Sequence, residues 1–154
     1  MKTAREMLLE KGNEIIAVSP DATLYDAIQV MIDHNIGAVL IKDGEKITGI
    51  WTERDLVRNS VQAGFNPKTA KIGDYMVTNL KKTSGDTTCM AMMDKFLGMR
   101  LRHLLVEEQG KITGLISIGD VIKGSLMEKT AELEALNKMV KWDYYENWRW
   151  KRKD

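Results

Sequence analysis

The sequence predicts an α+β fold: two βαββα units packed through their sheets with pseudo-two-fold symmetry, followed by a C-terminal helix and an aromatic tail. Two observations carry this expectation. Sliding the chain against itself by 65 residues aligns Asp21 with Asp86, Thr23 with Thr88, Met31 with Phe96, Val39 with Leu104, Ile47 with Ile112, Gly49 with Gly114 and Asp55 with Asp120, without a gap from Asp21 to Ile122. A register of that length marks a duplicated unit. Within each copy, short β-branched runs alternate with apolar residues at helical spacing, in the order strand, helix, strand, strand, helix. The duplication is plainest in Lys46-Ile-Thr-Gly-Ile-Trp-Thr-Glu-Arg-Asp55 and Lys111-Ile-Thr-Gly-Leu-Ile-Ser-Ile-Gly-Asp120.

The elements follow in order. Ala4 to Leu8 is a lead-in to the first unit, and Ile15 to Val18 is a β-branched strand stopped by Ser19-Pro20. Thr23 opens a helix, with Asp26 placed to complete a capping box. Leu24, Ala27, Ile28, Met31 and Ile32 form its apolar face. After Gly37, Ala38 to Ile41 is a continuous apolar strand, Asp43-Gly44 a hairpin turn, Ile47 to Thr52 the returning strand, and Glu53 to Gln62 a second helix. Glycine suits the turn because it accepts positive φ. Ala63-Gly-Phe-Asn-Pro67 separates the copies, Ile72 to Val77 leads into the second, and Gln109-Gly110 supplies its turn. A further helix, Leu126 to Lys141, bears Leu133, Leu136 and Val140 on one side and enters a tail from Trp142 to Asp154 that holds three of the four tryptophans. The expected divisions are residues 1–65, 66–125 and 126–154. A unit of this size buries too little apolar surface to be stable alone, so the two copies are expected to pack together and enclose two clefts.

Composition narrows the function. A chain of 154 residues with 44% apolar and 29% charged residues is of globular type. No apolar run is long enough to cross a bilayer, and the opening Met1-Lys-Thr-Ala-Arg-Glu lacks the apolar core of a signal peptide, so a cytoplasmic location without membrane attachment is expected. The single cysteine, Cys89, excludes an intramolecular disulfide and, aligned with Leu24, reads as a small buried residue. A net charge of +1 exerts no global pull on nucleic acid. His34 has no second ligand nearby, so no metal site is expected. No arrangement of nucleophile, base and oxyanion donors supports catalysis, and the chain is not read as an enzyme. Met90, Met92, Met93 and Met99 cluster on one helix, as core filling or as a helix–helix contact.

The two Ser/Thr-x-x-Asp stretches, with Ser19-Pro-Asp-Ala-Thr-Leu24, Asn35-Ile-Gly-Ala-Val-Leu40, Asp74-Tyr-Met-Val77 and Arg102-His103-Leu-Leu-Val106, resemble a tandem pair of cystathionine-β-synthase (CBS) domains. This is the Bateman module, here of the stand-alone bacterial or archaeal type. The resemblance covers residues 4 to about 125 and leaves out the tail. It implies a non-catalytic regulatory module that binds adenosine-containing ligands in the clefts between its units. AMP is the first candidate, with ADP, ATP, NAD and S-adenosylmethionine as others. The ligand is regulatory, with no catalytic cofactor, and the protein is expected to be a homodimer read by an unknown regulated partner. Carried over by position, the resemblance nominates Thr52 and Asp55 for one cleft and Ser117 and Asp120 for the other. The acid would hold the ribose hydroxyls and the hydroxyl side chain would lie beside the phosphates. Arg102 and His103, with Arg54 behind them, match phosphate-facing positions. Gly37, Ala38, Lys82 and Thr83 match places where backbone lies along the adenine.

Elementary chemistry agrees: a carboxylate accepts from two vicinal hydroxyls, a helix N-terminus favours an anion, and arginine offers paired donors to phosphate. The same tetrapeptides are also ordinary capping boxes, a role compatible with ligand contact. Leu105 stands where the family often has proline and Trp51 where a smaller aliphatic is usual, so Trp51 either narrows the first cleft or fills the core. The Asp120 cleft is accordingly preferred, having Arg102-His103 nearby in sequence and no counterpart of Trp51. The aromatic, basic tail supports two readings, packing on its own protein or a twin subunit, or a nucleic-acid contact. The first is preferred.

Overall fold

The structure, a computed structural model, describes residues 1–12 and 14–137. The tail from Trp142 to Asp154, and both readings of it, lie outside these residues. Among those described, α1 (Ala4–Lys11) precedes β1 (Ala17–Val18), α2 (Leu24–His34), β2 (Ala38–Asp43), β3 (Lys46–Thr52) and α3 (Glu53–Asn59). A 3-10 turn (Ile72–Asp74) then leads to β4 (Lys82–Ser84), α4 (Cys89–Met99), β5 (His103–Glu108), β6 (Lys111–Ser117) and α5 (Ile118–Asn137). The predicted α+β architecture is the one found: two three-stranded sheets, ordered β1-β2-β3 and β4-β5-β6. In each, the first strand pairs parallel to the second and the second antiparallel to the third. The parallel pairing requires a crossover, which α2 and α4 supply.

The capping boxes form as the sequence predicts, Thr23 accepting from Asp26 N at 3.1 Å and Asp26 accepting from Thr23 N at 3.3 Å. Helix α2 buries Leu24, Ala27 and Met31, but Ile32 is 65% exposed, one residue beyond the stripe that the sheet covers. The first strand is shorter than expected, with only Ala17–Val18 in the ladder, although Ile16 O still accepts from Leu40 N at 3.2 Å. Helix α3 stops at Asn59, short of Gln62, where Ser60 ends the helical bonding. Of the clustered methionines, Met92 fills the core while Met90 and Met99 are exposed. Cys89 is buried, and burial pushes its thiol up, as befits a core residue.

Each residue of the repeated Lys-Ile-Thr-Gly has a structural task. Both sheets carry a register shift, between Ile41 and Lys42 in one and Val106 and Glu107 in the other. Thr48 Oγ1 and Thr113 Oγ1 reach the carbonyls of Ile41 and Val106 at 3.5 and 3.3 Å, long bonds that help satisfy the bulged backbone. Ile47 and Ile112 pack between the two sheets with Leu40, Leu105, Ile50 and Leu115. The glycines admit the lead-in segments. A Cβ on Gly114 would stand 2.7 Å from Leu8 Cδ2, and one on Gly49 would stand 3.0 Å from Met76 Cβ.

Those contacts overturn the assignment of the lead-ins. Ala4, Met7 and Leu8 belong to the core of the second unit with Cys89, Met92, Phe96 and Ile116. Ile72, Tyr75 and Met76 pack in the core of the first with Leu24, Met31 and Trp51. The bonding repeats faithfully. Ala4 N donates to Thr87 O at 2.8 Å and Ile72 N to Ala22 O at 2.8 Å; Arg5 N donates to Gly85 O and Gly73 N to Pro20 O, both at 2.9 Å. Each copy is thus completed by the segment that precedes the other.

The last helix also differs from expectation. A single 20-residue helix, α5, runs from Ile118 through Gly124 to Asn137, so the helix expected from Leu126 continues the last helix of the second unit. Gly124 is a point of close approach: its added Cβ would stand 2.9 Å from Met7 Cε of α1. Leu133 and Leu136, the apolar side expected of a separate helix, remain exposed among the described residues.

Candidate functional site

The two Ser/Thr-x-x-Asp stretches sit where a strand hands over to a helix, β3 to α3 and β6 to α5. The junctions are locked alike, Glu53 N donating to Gly37 O at 3.0 Å and Ile118 N to Arg102 O at 2.9 Å. In the first junction Asp55 Oδ2 accepts from Thr52 N and from Thr52 Oγ1, each at 2.9 Å. Asp55 Oδ1 has only Arg58 Nη1 near it, at 3.8 Å, beyond hydrogen-bond length. The carboxylate therefore caps its helix with one oxygen and keeps acceptor capacity on the other. In the second junction Asp120 Oδ2 accepts from Ser117 N at 2.9 Å and from Lys11 Nζ at 2.7 Å, while Asp120 N donates to Ser117 Oγ at 3.1 Å.

Two clefts open between the units. One, of about 500 Å³, contains Thr52, Asp55, Arg54, Arg58, Lys81, Arg100 and Arg102, with Ile50, Val77 and Leu105 as apolar wall. The other, of about 350 Å³, contains Asp120, Lys11, Glu14, Gly37, Ala38, Ile15 and Ile16. Gly37, His103, Leu115 and Ser117 border both. Burial, with the Lys11 and Arg102 cations nearby, pushes His103 below its ordinary value, so its ring is neutral near pH 7 and meets an anion as a dipole. Burial pushes Asp120 up, but the Lys11 ammonium and the Ser117 amide outweigh it and hold the carboxyl below its ordinary value.

The placement redistributes the nominated residues. Thr52, Asp55, Arg54, Arg102 and His103 come together in the larger cleft, so Arg102 shares a cleft with Asp55 and not with Asp120. Ala38 lies with Asp120 in the smaller one, and Gly37 borders both. Lys82 and Thr83 line neither: Lys82 Nζ pairs with Glu107 at 2.7 Å, and buried Thr83 bonds Thr87 and Lys95 at 2.8 Å each. One residue earlier, Lys81 takes the position at the cleft. Trp51, the reason for preferring the other cleft, is fully buried between sheet and helix, its Nε1 donating to Asn59 Oδ1 at 2.9 Å. Both grounds for preferring the Asp120 cleft thus fall away: Trp51 fills the core and Arg102 lies with Asp55.

Arg58, Lys81, Arg100 and Lys11 escaped the sequence reading. For two of them the repeat held the signal. The offset of 65 sets Lys81 against Ile16 and Arg100 against Asn35, as it sets Arg102 against Gly37. In each case the second copy has a cation where the first is neutral. Arg100 also closes α4 with φ 52, in the left-handed region where Asn35, φ 51, closes α2. Asparagine tolerates that conformation better than arginine, so a cation is held there against local preference.

A family model for the CBS domain matches residues 9–62 and again residues 72–126. The chain belongs to the CBS-domain family. The tandem pair is 36% identical over 129 residues to the CBS domain-containing protein CBSX3, mitochondrial, of Arabidopsis thaliana, spanning 80% of this chain and 63% of that relative's length. Among solved structures, a CBS-domain containing protein from Agrobacterium tumefaciens is 34% identical with a TM-score of 0.76, covering 80% of this chain and 99% of that one. A CBS-domain protein from Burkholderia ambifaria assigned to signal transduction is 33% identical with a TM-score of 0.77, covering 82% and 95%. CBS-domain proteins are in general regulatory, ligand-binding modules. Among the described residues no helix is long and apolar enough to cross a membrane, and no group of three or more His, Cys, Asp or Glu is placed to hold a metal ion.

Proposed function

We propose that this CBS pair is a non-catalytic regulatory module that binds an adenine nucleotide of the AMP type in the Thr52–Asp55 cleft. One juxtaposition carries the reading. Asp55, buried and with one oxygen free of hydrogen bonds, lines the same cleft as Arg54, Lys81, Arg100 and Arg102, none of which has an acidic partner among the described residues. Asp55 Oδ1 accepts from a ribose hydroxyl, the apolar wall of Ile50, Val77 and Leu105 takes the base, and the arginines take the phosphates. Because the cleft is walled by both units, bound nucleotide favours one arrangement of the pair, by no more than its difference in affinity for the two arrangements. Titration calorimetry with AMP, ADP, ATP, NAD and S-adenosylmethionine tests this. Binding is expected, and Asp55→Ala should weaken it about tenfold or more while Asp120→Ala changes it little. Absence of heat with all five ligands at millimolar concentration sinks the proposal.

We also propose a homodimer built on the helices. Eight of the large apolar side chains left exposed form pairs related by the repeat: Tyr25 with Met90, Ile32 with Leu97, Val57 with Ile122, and Val61 with Leu126. A face displayed twice by an internal two-fold suits isologous contact with a second copy. Light scattering should give a dimer for the natural chain and a monomer for Ile32→Glu combined with Leu97→Glu. An unchanged mass for that double variant refutes this contact.

A further inference from the structure

The two halves differ most at the end of their lead-ins. In the first unit the lead-in unwinds after its 3-10 turn and runs along the edge of β3, where Val77 N donates to Ile50 O at 2.8 Å and Ile50 N to Val77 O at 3.0 Å. Leu115 is the residue that the repeat sets against Ile50. There the lead-in stays helical through Lys11, and the carbonyl of Leu115 accepts from the Lys11 ammonium at 3.1 Å. The same ammonium donates to Asp120 Oδ2 at 2.7 Å. A side chain thus does in one half what a strand edge does in the other, and in doing so it occupies the acid of the smaller cleft.

The helix that delivers this charge is anchored. Thr3 and Glu6 form its capping box, Ala4 N and Arg5 N bond Thr87 O and Gly85 O, and Leu8 lies against Gly114. Gly12, at φ 94, turns the chain away directly after Lys11. The other charged or titratable groups bordering this cleft are Glu14 and His103. With His103 neutral, Lys11 is its positive charge, and that charge is already spent on Asp120.

We propose that Lys11 is a built-in competitor for the Asp120 cleft, holding it closed to nucleotide so that the module responds through the Asp55 cleft alone. The proposal rests on the nucleotide reading above and adds a stoichiometry to it: one ligand per chain, with a second site released when the ammonium is removed. An incoming ribose meets at Asp120 a carboxylate whose charge the Lys11 ammonium already offsets through Oδ2, whereas at Asp55 no cation among the described residues lies within hydrogen-bond length.

Calorimetry with AMP on the full chain, on Lys11→Ala and Lys11→Met, and on Lys11→Ala combined with Asp120→Asn tests the proposal. The natural chain should take up one equivalent, both Lys11 variants two, and the double variant one again. The released site should bind at least about fivefold more tightly than any residual second binding to the natural chain. Lys11 variants that take up no more AMP than the natural chain overturn the proposal, as does a natural chain that already binds two equivalents alike. Uptake that appears only in the Lys11 variants would overturn the Asp55 reading, and with it the stoichiometry, and support only the competition of Lys11 at Asp120. A second measurement needs no ligand: the carboxyl carbon of Asp120, followed by NMR, should titrate at higher pH in Lys11→Ala, and an unmoved titration overturns the proposal.

Discussion

Asp55 and Asp120 occupy the same place in the repeat, yet Asp120 has an ammonium at hydrogen-bond length and Asp55 has no cation that close among the described residues. Both carboxylates first serve their helices, bonding the amide three residues back, and the difference lies in a third residue. Asp120 has Lys11 and Asp55 has only a distant Arg58. Capping and ligand contact are therefore complementary here, because a carboxylate has two oxygens and the cap uses one. His103 supplies a prediction at this scale. Burial and the neighbouring Lys11 and Arg102 hold its folded value below the ordinary 6.5, so in the window beneath that value the unfolded chain binds the extra proton. Its contribution is present above pH 6.5 and is lost as pH falls through the folded value. Urea denaturation at pH 7.5 and 5.5 should accordingly show a smaller loss for His103→Gln than for the natural chain. Equal losses in the two would contradict the burial argument.

At the scale of the element, the strand bearing Lys-Ile-Thr-Gly is shaped by its neighbours on both sides. Threonine serves the bulge, isoleucine the sheet–sheet interface, and glycine the incoming lead-in. Such a strand tolerates little added bulk. Gly49→Ala should destabilise the protein by about 1–3 kcal/mol, since the new methyl meets Met76 back to its Cβ and the lead-in has to shift. Alanine at Gly44, where nothing lies within 4 Å of the added carbon, meets only the strain of its φ of 61. Thermal denaturation compares the two, and a smaller loss at Gly49 than at Gly44 would reject the close-packing explanation. The hairpin turns show the same local logic in two dialects. Gly44 carries the positive φ in one, and Gln109 and Gly110 share it in the other, with φ 51 and 77.

For the whole molecule, the exchange of lead-ins makes two small units into one body. Neither copy has its own complete core: the first takes Ile72 and Met76, the second takes Ala4, Met7 and Leu8. Leu8→Ala should destabilise the protein by about 2–5 kcal/mol, a cavity in a core that is far away in sequence. Hydrogen exchange should then rise first in α4 and β6 of the second unit, although residue 8 precedes the first. Rising exchange confined to α2 and β3 would refute the crossed arrangement. The crossing also sets the clefts, because it brings α1, and with it Lys11, to the mouth of β6.

The sequence by itself determined the duplication, the order of elements, the caps and the hairpins. These depend on contacts within a few residues, on period and on turn chemistry, and Thr23, Gly44 and Asp55 announce them directly. It also named Asp55 with Thr52, and Asp120 with Ser117, because a strand ending in a hydroxyl and an acid repeats in register. Only the tertiary structure decided which lead-in completes which unit, which cations share a cleft with which acid, and that Trp51 faces the core. It alone showed that Lys11 holds Asp120. Each of those depends on residues tens of positions apart meeting across the packed sheets, where burial of apolar area drives the encounter and a linear pattern carries no record of the partner.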